Sequence, residues 1–405
     1  MTRRWIVVAG SPFMPAQDGG EREHLGFVES MVAAGWLAGL VIPTDADPDA
    51  LGREDDLDAI RELIAPAPLF VTPRRRSVLA ATRLDKPYVV ASRPVPADLV
   101  ARVSMQVPDA NGLVVFALKS VDIGRRLAEE LKLPAVLRQH NLEGPYHRAL
   151  AGSLTPPKSW LVNLEAARID RADARLEHSG WLRGIADISE TDAATRSGRS
   201  DVPVAHVPTF ALGPRLALAE QPWRRPDNPV VVFVGALQVG TNHDAIEWFA
   251  EQVWPLIRAE HPGAVWQIVG RSPAARVHDL VARTEGAELH PDVADPRDYL
   301  RNASVAVNPT VSGSGVNIKL VEYLSVGLPV VSTTKGQAGL GVSAGSDLMV
   351  ADDPTEFAGQ VNHLLASAAD SQRVGSTGLA TATRILDVNG SLQIMADLME
   401  RPARL

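Results

Sequence analysis

Residues 313–332 read Gly-Ser-Gly-Val-Asn-Ile-Lys-Leu-Val-Glu-Tyr-Leu-Ser-Val-Gly-Leu-Pro-Val-Val-Ser, and this stretch says most about the fold. The small residues of Ser312–Gly315 predict a flexible loop, and the apolar spacing over Val316–Ser325 predicts a helix. Gly327 and Pro329 are typical of a helix end, and a buried strand is expected directly after them. Loop, helix and strand in this order form one step of an α/β fold with a parallel sheet.

The same stretch carries groups that suit a nucleotide. A glycine-rich loop that feeds a helix N-terminus presents free N–H groups and a positive dipole end, which favours phosphate. Lys319 and Glu322 are three residues apart, so they share one helix face. A cation for a diphosphate would then lie beside a carboxylate for sugar hydroxyls, although a solvated amphipathic helix gives a similar pattern. The candidate donor-binding residues here are Gly313, Ser314, Gly315, Val316, Asn317, Lys319 and Glu322, and the last two are also catalytic candidates.

The bulk properties narrow the class of protein. The chain has 405 residues, 45% hydrophobic and 22% charged, which predicts a globular protein of two domains. Its net charge of −8 argues against nucleic-acid binding, and the absence of cysteine excludes disulfides and thiolate chemistry. The first apolar run, Trp5–Ala9, is too short for a signal peptide, and no run is long enough to span a bilayer. A cytoplasmic protein without a transmembrane segment is expected, as a monomer or homodimer.

Short apolar runs alternate with helical patterns along the whole chain, which is typical of doubly wound parallel sheets. We predict an N-terminal domain over 1–212, a Pro- and Arg-rich linker over 213–229 and a C-terminal domain over 230–385. A C-terminal helix over 386–405 is able to pack back on the first domain. The predicted strands are Trp5–Ala9, Leu37–Ile42, Leu69–Thr72, Tyr88–Ser92, Leu113–Phe116, Ala135–Arg138, Val230–Gly235, Trp266–Gly270, Glu288–His290, Val305–Asn308, Val330–Ser332 and Met349–Ala351. In the first half the pattern breaks after the runs Ile185–Ser189 and Val204–Val207.

Further candidates in the second half follow predicted strands, where ligands of such sheets bind. Gly235 allows a ligand to approach the backbone, or is a simple turn glycine. Gly270 and Arg271 end the next strand, where the arginine either reaches a diphosphate or is an ordinary surface residue. Asn242 stands at the start of a predicted helix as a further donor-binding candidate, or as a plain N-cap.

The first half carries a weaker set of candidates. Gly19 and Gly20 precede a helix, where paired glycines can approach a phosphate or a sugar, although a plain loop is the commoner explanation. Several polar residues, Arg138–Glu143, follow a strand. Within them, His140 is a catalytic candidate that could bond a sugar hydroxyl or stabilise developing charge. Asn141 and Glu143 are candidate acceptor-binding residues.

Taken together, these motifs resemble the retaining glycosyltransferases of the GT-B fold, specifically glycosyltransferase family 4. The resemblance covers nearly all of the second half and extends weakly into the first. In the second half it rests on Phe233–Gly235, Asn242–Phe249, Val253–Pro255, Ile268–Gly270, Asp292–Leu300 and the glycine-rich helix through Val331. In the first half it rests on Gly19-Gly20, His140–Glu143 and Ser189–Asp192. It implies two Rossmann-like doubly wound domains facing an interdomain cleft.

The resemblance also implies an activity and a role for each site residue. The family transfers a sugar from a nucleotide-diphosphate sugar to a hydroxyl with retention, needs no cofactor and does not depend on a bound metal. Glu322 would hold the ribose hydroxyls, while Lys319 and the loop backbone would face the diphosphate. His140 would contact the donor sugar, and Gly19-Gly20 would approach the diphosphate or the transferred sugar. The donor would be a UDP-, GDP- or TDP-sugar.

This chain departs from the family pattern in its donor site. The family commonly has two glutamates eight positions apart, but Ser314 stands at the first position and Glu322 at the second. An arginine that often follows the strand glycine is replaced by Ala236, so Lys319 and Arg271 are the nearest cations for the diphosphate. Asn317 stands where one branch of the family often has arginine, which leaves this site less charged.

Two other functions fit the same residues. A nucleotide-sugar epimerase or phosphorylase of this fold would need different residues around the donor. A non-catalytic binding protein is the other alternative, because the usual first glutamate is missing. The acceptor, whether a glycan, a glycolipid or a natural product, is not identified by any motif.

Overall fold

The computed structural model describes residues 2–16, 19–45, 57–75, 85–152, 154–211, 223–293, 295–313 and 315–402. The chain forms two compact units. Unit 1 comprises Met1–Arg215 together with Asp387–Leu405, and unit 2 comprises Leu216–Leu386. Each unit is an α/β layer structure around a parallel sheet, as the alternation of apolar runs and helical patterns predicts.

Unit 1 contains a seven-stranded sheet in the order β3-β2-β1-β4-β5-β6-β7, with every neighbouring pair parallel. The residues of β1 alternate between the two faces of the sheet: Trp5 and Val7 enter one apolar core, and Ile6 and Val8 enter the other. Both faces are therefore covered by helices, which explains the continuous apolar character of the strands. The strands are β1 Trp5–Val8, β2 Leu37–Asp45, β3 Leu69–Arg74, β4 Gly112–Phe116, β5 Ala135–Gln139, β6 Leu182–Asp187 and β7 Val204–His206.

The helices of unit 1 form the two outer layers. Leu25 and Phe27 of α1 pack on one face, and Val103 of α4 and Leu127 of α5 pack on the other. A 3₁₀ turn, Leu118–Ser120, links β4 to α5. The helices are α1 Gly19–Ala33, α2 Leu57–Ile64, α3 Tyr88–Ala91, α4 Leu99–Gln106, α5 Val121–Leu131, α6 Glu143–Gly152, α7 Lys158–Glu177 and α8 Glu190–Ser197.

The predicted strand at Tyr88–Ser92 is wrong, because this run forms the short helix α3. Pro87 precedes its first residue, and the N–H of Ser92 donates to the carbonyl of Tyr88 at 2.9 Å. Only Val90 of the helix is buried. An apolar run this short has no helical period to read, so its β-branched residues mimic a strand.

The last helix of the chain, α17, belongs to unit 1 in space although it follows unit 2 in sequence. In chain order, α9–α16 lie in unit 2, and α17 spans Val388–Met399. Leu392, Met395 and Leu398 of this helix enter the same apolar core as β1. Gly184 of β6 makes room for it, since a Cβ there would lie 2.8 Å from Leu398 Cδ2.

Unit 2 contains a six-stranded parallel sheet in the order β10-β9-β8-β11-β12-β13. The order repeats that of the first six strands of unit 1. In both units the first strand lies between the second and the fourth, so each sheet has a topological switch point beside its first strand, where ligands of such folds bind. The strands are β8 Val230–Ala236, β9 Val265–Arg271, β10 Ala287–Pro291, β11 Val305–Asn308, β12 Val330–Ser332 and β13 Met349–Val350.

Helices surround this second sheet. A π-helical segment, Phe249–Val253, joins α9 to α10. The helices are α9 Gly240–Trp248, α10 Trp254–Glu260, α11 Ala275–Arg283, α12 Arg297–Arg301, α13 Ile318–Ser325, α14 Thr334–Gln337, α15 Pro354–Ala366 and α16 Ala368–Ile385.

Residues 213–222 of the predicted linker lie outside the described residues. The part that follows them is packed on unit 2. Trp223 is buried, and its indole N–H donates to the carbonyl of Ala303 at 2.9 Å. Arg225 donates to the carbonyl of Leu365. The interdomain cleft expected from the sequence stays a prediction.

Candidate functional site

The switch point of unit 2 is held open by a tyrosine. Strands β8 and β11 pair through Val231 and Val232. Beyond them, the hydroxyl of Tyr323 accepts a hydrogen bond from the N–H of Val234 at 2.8 Å and donates to its carbonyl at 3.1 Å. Burial raises the pKa of Tyr323, which keeps its hydroxyl protonated and able to donate. The side chain thus takes the place of a strand partner and separates the carboxyl ends of β8 and β11.

Lys319 is fixed on the first turn of α13 by a neighbouring amide. Its ammonium donates to Asn242 Oδ1 at 2.6 Å and lies 4.4 Å from the centroid of the Phe233 ring. Asn242 Nδ2 donates in turn to the carbonyl of Ala236 at 2.9 Å. Desolvation by the surrounding protein lowers the pKa of Lys319 to about 7, and the nearby charge of Glu322 opposes the shift. Around neutral pH this lysine therefore changes charge easily, and an incoming anion would favour its charged form.

Glu322 lies on the same helix as Lys319 and is buried, with 9% of its surface exposed. Its negative charge raises the pKa of Lys319 and also contributes to raising the pKa of Arg297. Six of the eight residues of α13 are buried, Glu322 among them. The alternative of a solvated amphipathic helix is therefore wrong for this segment.

The glycine-rich loop before α13 is tied to α9. The hydroxyl of Ser312 donates to Asp244 Oδ2 at 2.6 Å. Gly313 has a φ of +86°, and a Cβ at this position would lie 2.8 Å from Thr241 Cγ2, so glycine is required there. Gly315 also has a positive φ. Ser314, the residue between the two glycines, lies outside the described residues.

A buried polar network fixes the start of this loop. The hydroxyl of Thr310 lies 2.9 Å from Asn308 Oδ1 and 3.4 Å from Asn317 Oδ1. Thr333 donates from its hydroxyl to the carbonyl of Thr310 at 2.6 Å, and Asn308 Nδ2 donates to the carbonyl of Gly336 at 3.0 Å. The loop therefore leaves the sheet from a rigid base. Helix α13 begins at Ile318, two residues later than predicted, so Val316 and Asn317 belong to the loop.

Gly235 and Gly270 face each other in the register of β8 and β9. A Cβ at Gly270 would lie 1.8 Å from the carbonyl oxygen of Gly235, so Gly270 is needed for the close approach of two strands. Its presence is explained by packing alone. Arg271 follows at the end of β9, where it is exposed, and its guanidinium makes no hydrogen bond or ion pair with any residue that the structure describes.

Asn242 is not an N-cap, so the alternative interpretation of this residue is wrong. Helix α9 begins at Gly240, and its N-cap is Val239. Asn242 lies inside the first turn and joins the end of β8 to Lys319 through its side-chain amide. Its neighbour His243 is structural, because Nε2 lies 2.6 Å from the carbonyl of Leu237 and Nδ1 accepts from Arg276.

In unit 1, His140 follows β5 and meets a second histidine. The rings of His140 and His24 make a T-shaped contact with centroids 5.1 Å apart, and Phe116 contacts both. Burial lowers the pKa of His24 to about 3 and holds the pKa of His140 well below its usual value, with Lys119 lowering both. His140 Nε2 is buried and has no hydrogen-bond partner among the described residues. At neutral pH both rings are uncharged.

Gly19 and Gly20 are the first two residues of α1, so they lie inside the helix that the sequence analysis placed after them. Neither has a positive φ, and Gly19 is exposed. The carbonyl of Gly20 lies 2.7 Å from His24 Nδ1, which connects the glycine pair to the two histidines. Free N–H groups of a first helical turn suit an anion, but Gln17 and Asp18, just before them, lie outside the described residues.

Two of the polar residues between Arg138 and Glu143 serve packing. Arg138 is fully buried in an ion pair with Glu23 at 2.7 Å. Gln139 Nε2 donates to Asp173 Oδ1 at 3.2 Å inside the unit. Arg138 and Gln139 therefore belong to the buried polar contacts of unit 1, and neither is assigned to a ligand.

The remaining polar residues, Asn141 and Glu143, lie where α6 begins. Both are partly exposed. Burial raises the pKa of the Glu143 carboxyl, while His147 and Lys119 act in the opposite direction. Their assignment to the acceptor stays a prediction.

Lys119 lies at the end of β4 and was not predicted as a site residue. Its ammonium donates to the hydroxyl of Ser11 at 3.3 Å, and its side chain runs over Gly10, where a Cβ would lie 2.0 Å from Lys119 Cε. The residue two positions earlier, Ala117, has φ 58° and ψ 162°, a conformation almost restricted to glycine. Ser120 then donates to the carbonyl of Ala9 at 2.9 Å and fixes the turn.

The sequence analysis did not single out three residues that the fold places at or beside the candidate sites. Tyr323 could have been suspected, since a tyrosine inside an otherwise apolar buried helix needs a polar partner. Lys119 is a lone lysine after a strand, a pattern too common to single out. His24 lies in a helix, and only the fold brings it beside His140.

The described residues contain no cluster of three or more His, Asp or Glu side chains able to hold a metal ion. None of the helices they form has the length and apolar character required to cross a bilayer.

Comparison with known proteins agrees with this architecture. Residues 228–367 match the family model of the glycosyl transferases group 1. An uncharacterized 44.6 kDa protein in the cps region of Klebsiella pneumoniae is 27% identical over 135 residues, which is 32% of this chain. The match spans 35% of that protein's length.

Solved structures with the same fold cover the whole chain at low identity. A glycosyltransferase from Rickettsia africae has a TM-score of 0.66 at 10% identity, covering 99% of this chain and 100% of its own. HepE from Anabaena, in complex with UDP and glucose, has a TM-score of 0.62 at 14% identity, covering 99% and 100%. Sucrose-phosphate synthase from Thermosynechococcus elongatus has a TM-score of 0.64 at 15% identity, covering 98% of both chains.

The two parallel sheets and these neighbours define a GT-B fold. The chain therefore has the fold of the GT-B glycosyltransferases, and its residues 228–367 are similar to the glycosyl transferases group 1 family.

Proposed function

We propose that this protein transfers a sugar from a nucleotide-diphosphate sugar to a hydroxyl acceptor, with retention at the anomeric carbon and without a bound metal. We propose the cytoplasm as its place of action. The observation that carries the proposal is the ammonium of Lys319, fixed by Asn242 at 2.6 Å beside the loop of Gly313 and Gly315. A diphosphate leaving group needs its developing charge stabilised, and these groups lie at the switch point where a ligand binds.

In the donor site that we propose, the phosphates lie against the loop backbone before α13. Lys319 supplies a positive charge beside this loop. Arg271 is a second, permanently charged hydrogen-bond donor at the same edge of the sheet. Glu322 accepts hydrogen bonds from the ribose hydroxyls. Because Lys319 titrates near neutrality, binding of the diphosphate would restore its full charge.

UDP is our first choice for the nucleotide. HepE, which shares the fold, was crystallised with UDP and with UDP-glucose. A GDP- or TDP-sugar remains the alternative. Val239 follows the end of β8 and Arg271 ends β9; both are exposed and would lie close to the base or the phosphates.

We assign the acceptor to unit 1. His140 would contact the transferred sugar through the buried nitrogen that has no described partner, and its low pKa keeps this ring neutral. Gly19 and Gly20 would approach the diphosphate or the same sugar, and Asn141 and Glu143 would contact the acceptor. No carboxylate is assigned as a nucleophile. The acceptor hydroxyl would attack from the face of the departing phosphate, which takes up its proton.

The test begins with the donor. We expect UDP or a UDP-sugar to raise the melting temperature in a thermal-shift series with UDP, GDP, TDP, ADP and their glucose conjugates. Lys319→Met should abolish the shift, while Lys132→Met, at an exposed helix end in unit 1, should preserve it. If no nucleotide stabilises the protein, the proposal fails.

Turnover is tested next with the nucleotide that binds. Proton NMR of the anomeric signal would show retention in the product. An epimerised donor formed without acceptor would instead identify an epimerase, and tight donor binding with no turnover for any acceptor would favour a binding protein.

A further inference from the structure

His24 connects the two groups of unit 1 that the proposed function assigns to the donor. On one side, its Nδ1 lies 2.7 Å from the carbonyl of Gly20, in the glycine pair at the start of α1. On the other side, its ring makes a T-shaped contact with the ring of His140, with the two planes at 81°. His24 itself is buried, with 2% of its surface exposed, so almost none of it is left for a ligand. Any effect of His24 on the reaction therefore acts through its neighbours.

The tautomer of His24 follows from its two hydrogen bonds. The backbone N–H of Gly10 lies 3.4 Å from Nε2, so Nε2 accepts and carries no proton. The proton of the neutral ring is then on Nδ1, which donates to the carbonyl of Gly20. Burial lowers the pKa of His24 to about 3, so the ring stays neutral at the pH of the cell. Since Arg93 Nε donates to the carbonyl of Gly10 at 2.9 Å, the residue to which His24 is bonded is also held from its other side.

A buried ion pair sets the distance between the two histidines. Glu23, directly before His24, pairs with Arg138 at 2.7 Å, and both side chains are almost fully buried. Arg138 lies two residues before His140, at the end of β5. A charge-assisted pair of this kind holds α1 against the end of β5. The contact between the rings of His24 and His140 is therefore a fixed feature of unit 1.

His140 depends on its neighbours for its orientation. Its Nε2 is buried and has no hydrogen-bond partner among the described residues. The rings that contact it within the described part of the chain are those of His24 and Phe116, with centroids at 5.1 and 6.0 Å. An edge-to-face contact between aromatic rings is favourable and restricts their rotation. A group that bonds a reacting sugar has to stay within about 0.5 Å and 10–20° of its productive geometry.

We propose that His24 is a positioning residue of the transfer reaction, which holds the ring of His140 in the orientation that contacts the transferred sugar. The inference rests on the proposed function and adds to its site a residue that touches no substrate. Without His24 the ring of His140 is free to turn, so fewer donor complexes have the productive geometry. The loss should therefore appear in kcat rather than in KM.

The first experiment measures release of UDP from UDP-glucose, or of the nucleotide from the glucose conjugate that stabilises the protein best. We expect His24→Gln to lower kcat about tenfold or more, because its amide presents no ring to His140. The KM should stay within a factor of about three, and the Kd for the nucleotide within a factor of about two, because the proposed nucleotide site is in unit 2. His24→Phe keeps a ring but loses the two bonds that fix it, so it should lose less activity than His24→Gln.

The matched control is His206→Phe, in the same unit. It removes a partly buried imidazole that lies 3.1 Å from the carbonyl of Ile188. The described ring contacts of His140 do not include this residue. We expect kcat to stay within a factor of about two of the wild type. Wild-type kcat in His24→Gln, or an equal loss in the control, would overturn the proposal.

A double-mutant cycle separates positioning from a structural role. In a His140→Ala background, the change His24→Gln should lower kcat by less than about twofold, since the ring on which His24 acts is gone. A merely structural residue would lower kcat by the same factor in both backgrounds. That result would overturn the proposal.

The imidazole signals give a test that needs no turnover. In protein labelled with ¹⁵N-histidine, His24 should show the tautomer with its proton on Nδ1. His24→Gln and His24→Phe should both shift the ring signals of His140, which are assigned by their loss in His140→Ala, while His206→Phe should not. Unshifted His140 signals in whichever His24 variant is folded would overturn the proposal. Failure of the wild type to bind any nucleotide sugar would instead reject the proposed function itself.

Discussion

The ammonium of Lys319 donates to the side-chain oxygen of Asn242 at 2.6 Å while it lies 4.4 Å from the ring centroid of Phe233. A neutral amide and an aromatic face hold this lysine in place. Unlike a carboxylate, they do not neutralise its charge. Such a lysine is positioned to bind an anionic ligand. In the ligand-free protein, burying its charged ammonium costs free energy.

This geometry predicts proton uptake when the donor binds. With a pKa lowered to about 7, Lys319 is only partly protonated near neutral pH, and a bound diphosphate should bring it to full charge, taking up a fraction of a proton per ligand. Calorimetric titration of UDP-glucose in buffers of different ionisation enthalpy measures this number. Affinity should fall as the pH rises from 6 to 9. Lys319→Met should show neither uptake nor this pH dependence, and uptake that persists in the variant would contradict the assignment.

Removal of the Tyr323 hydroxyl should destabilise unit 2. Tyr323→Phe leaves the buried N–H and carbonyl of Val234 without their partner, at a cost of about 1–3 kcal/mol. Urea unfolding followed by tryptophan fluorescence measures the loss. Tyr299→Phe is the matched control, because that hydroxyl makes only a 3.4 Å contact to His290, and it should change the free energy of unfolding by less than about 0.5 kcal/mol.

The strained residue at the end of β4 predicts a stabilising substitution. Ala117→Gly removes a backbone strain of about 1–3 kcal/mol and costs about 0.5–1 kcal/mol of chain entropy, so a net gain in the free energy of unfolding is expected. Ala149→Gly, in exposed helix α6, should lose about 1 kcal/mol. A loss of stability in Ala117→Gly would show that the conformation is not strained in solution.

Asp173 should make unit 1 less stable as the pH rises. Burial raises the pKa of its carboxyl from 3.8 to about 7, with Arg196 acting in the opposite direction and Glu177 adding to the shift. The folded state then holds a proton that the unfolded state has lost, so stability falls between about pH 4 and pH 7. Asp173→Asn should abolish this fall and stabilise the protein at pH 8 by at most about 4 kcal/mol. Urea unfolding at pH 5 and pH 8 tests it, and the stabilisation should be much smaller at pH 5.

The strands could be predicted because both faces of each sheet are covered. Runs such as Val230–Gly235 are then apolar throughout and short, which distinguishes them from amphipathic helices. The run at Tyr88–Ser92 has the same composition, yet it forms a helical turn after Pro87. Composition cannot separate these two outcomes when a segment is shorter than two helical turns.

The sequence predicts the candidate-site residues that lie close together in one segment. It does not predict the contacts between residues that are far apart in the sequence. Lys319 and Glu322 share a helix, so their spacing alone places them together. The bond between Lys319 and Asn242 joins residues 77 positions apart, and no local pattern encodes it. The approach of His24 to His140 depends in the same way on the neighbouring positions of α1 and β5.

Helix α17 gives the chain an order of assembly. Leu392, Met395 and Leu398 belong to the hydrophobic core around β1. Unit 1 therefore has an incomplete core until residues 388–399 have been synthesised. Unit 2, encoded by the continuous segment Leu216–Leu386, has all its strands before then. During translation the second half should therefore reach its native state first, while the first half waits. A chain that stops at Leu386 should contain a native second unit beside an incomplete first one, visible as protease resistance confined to residues 223–386.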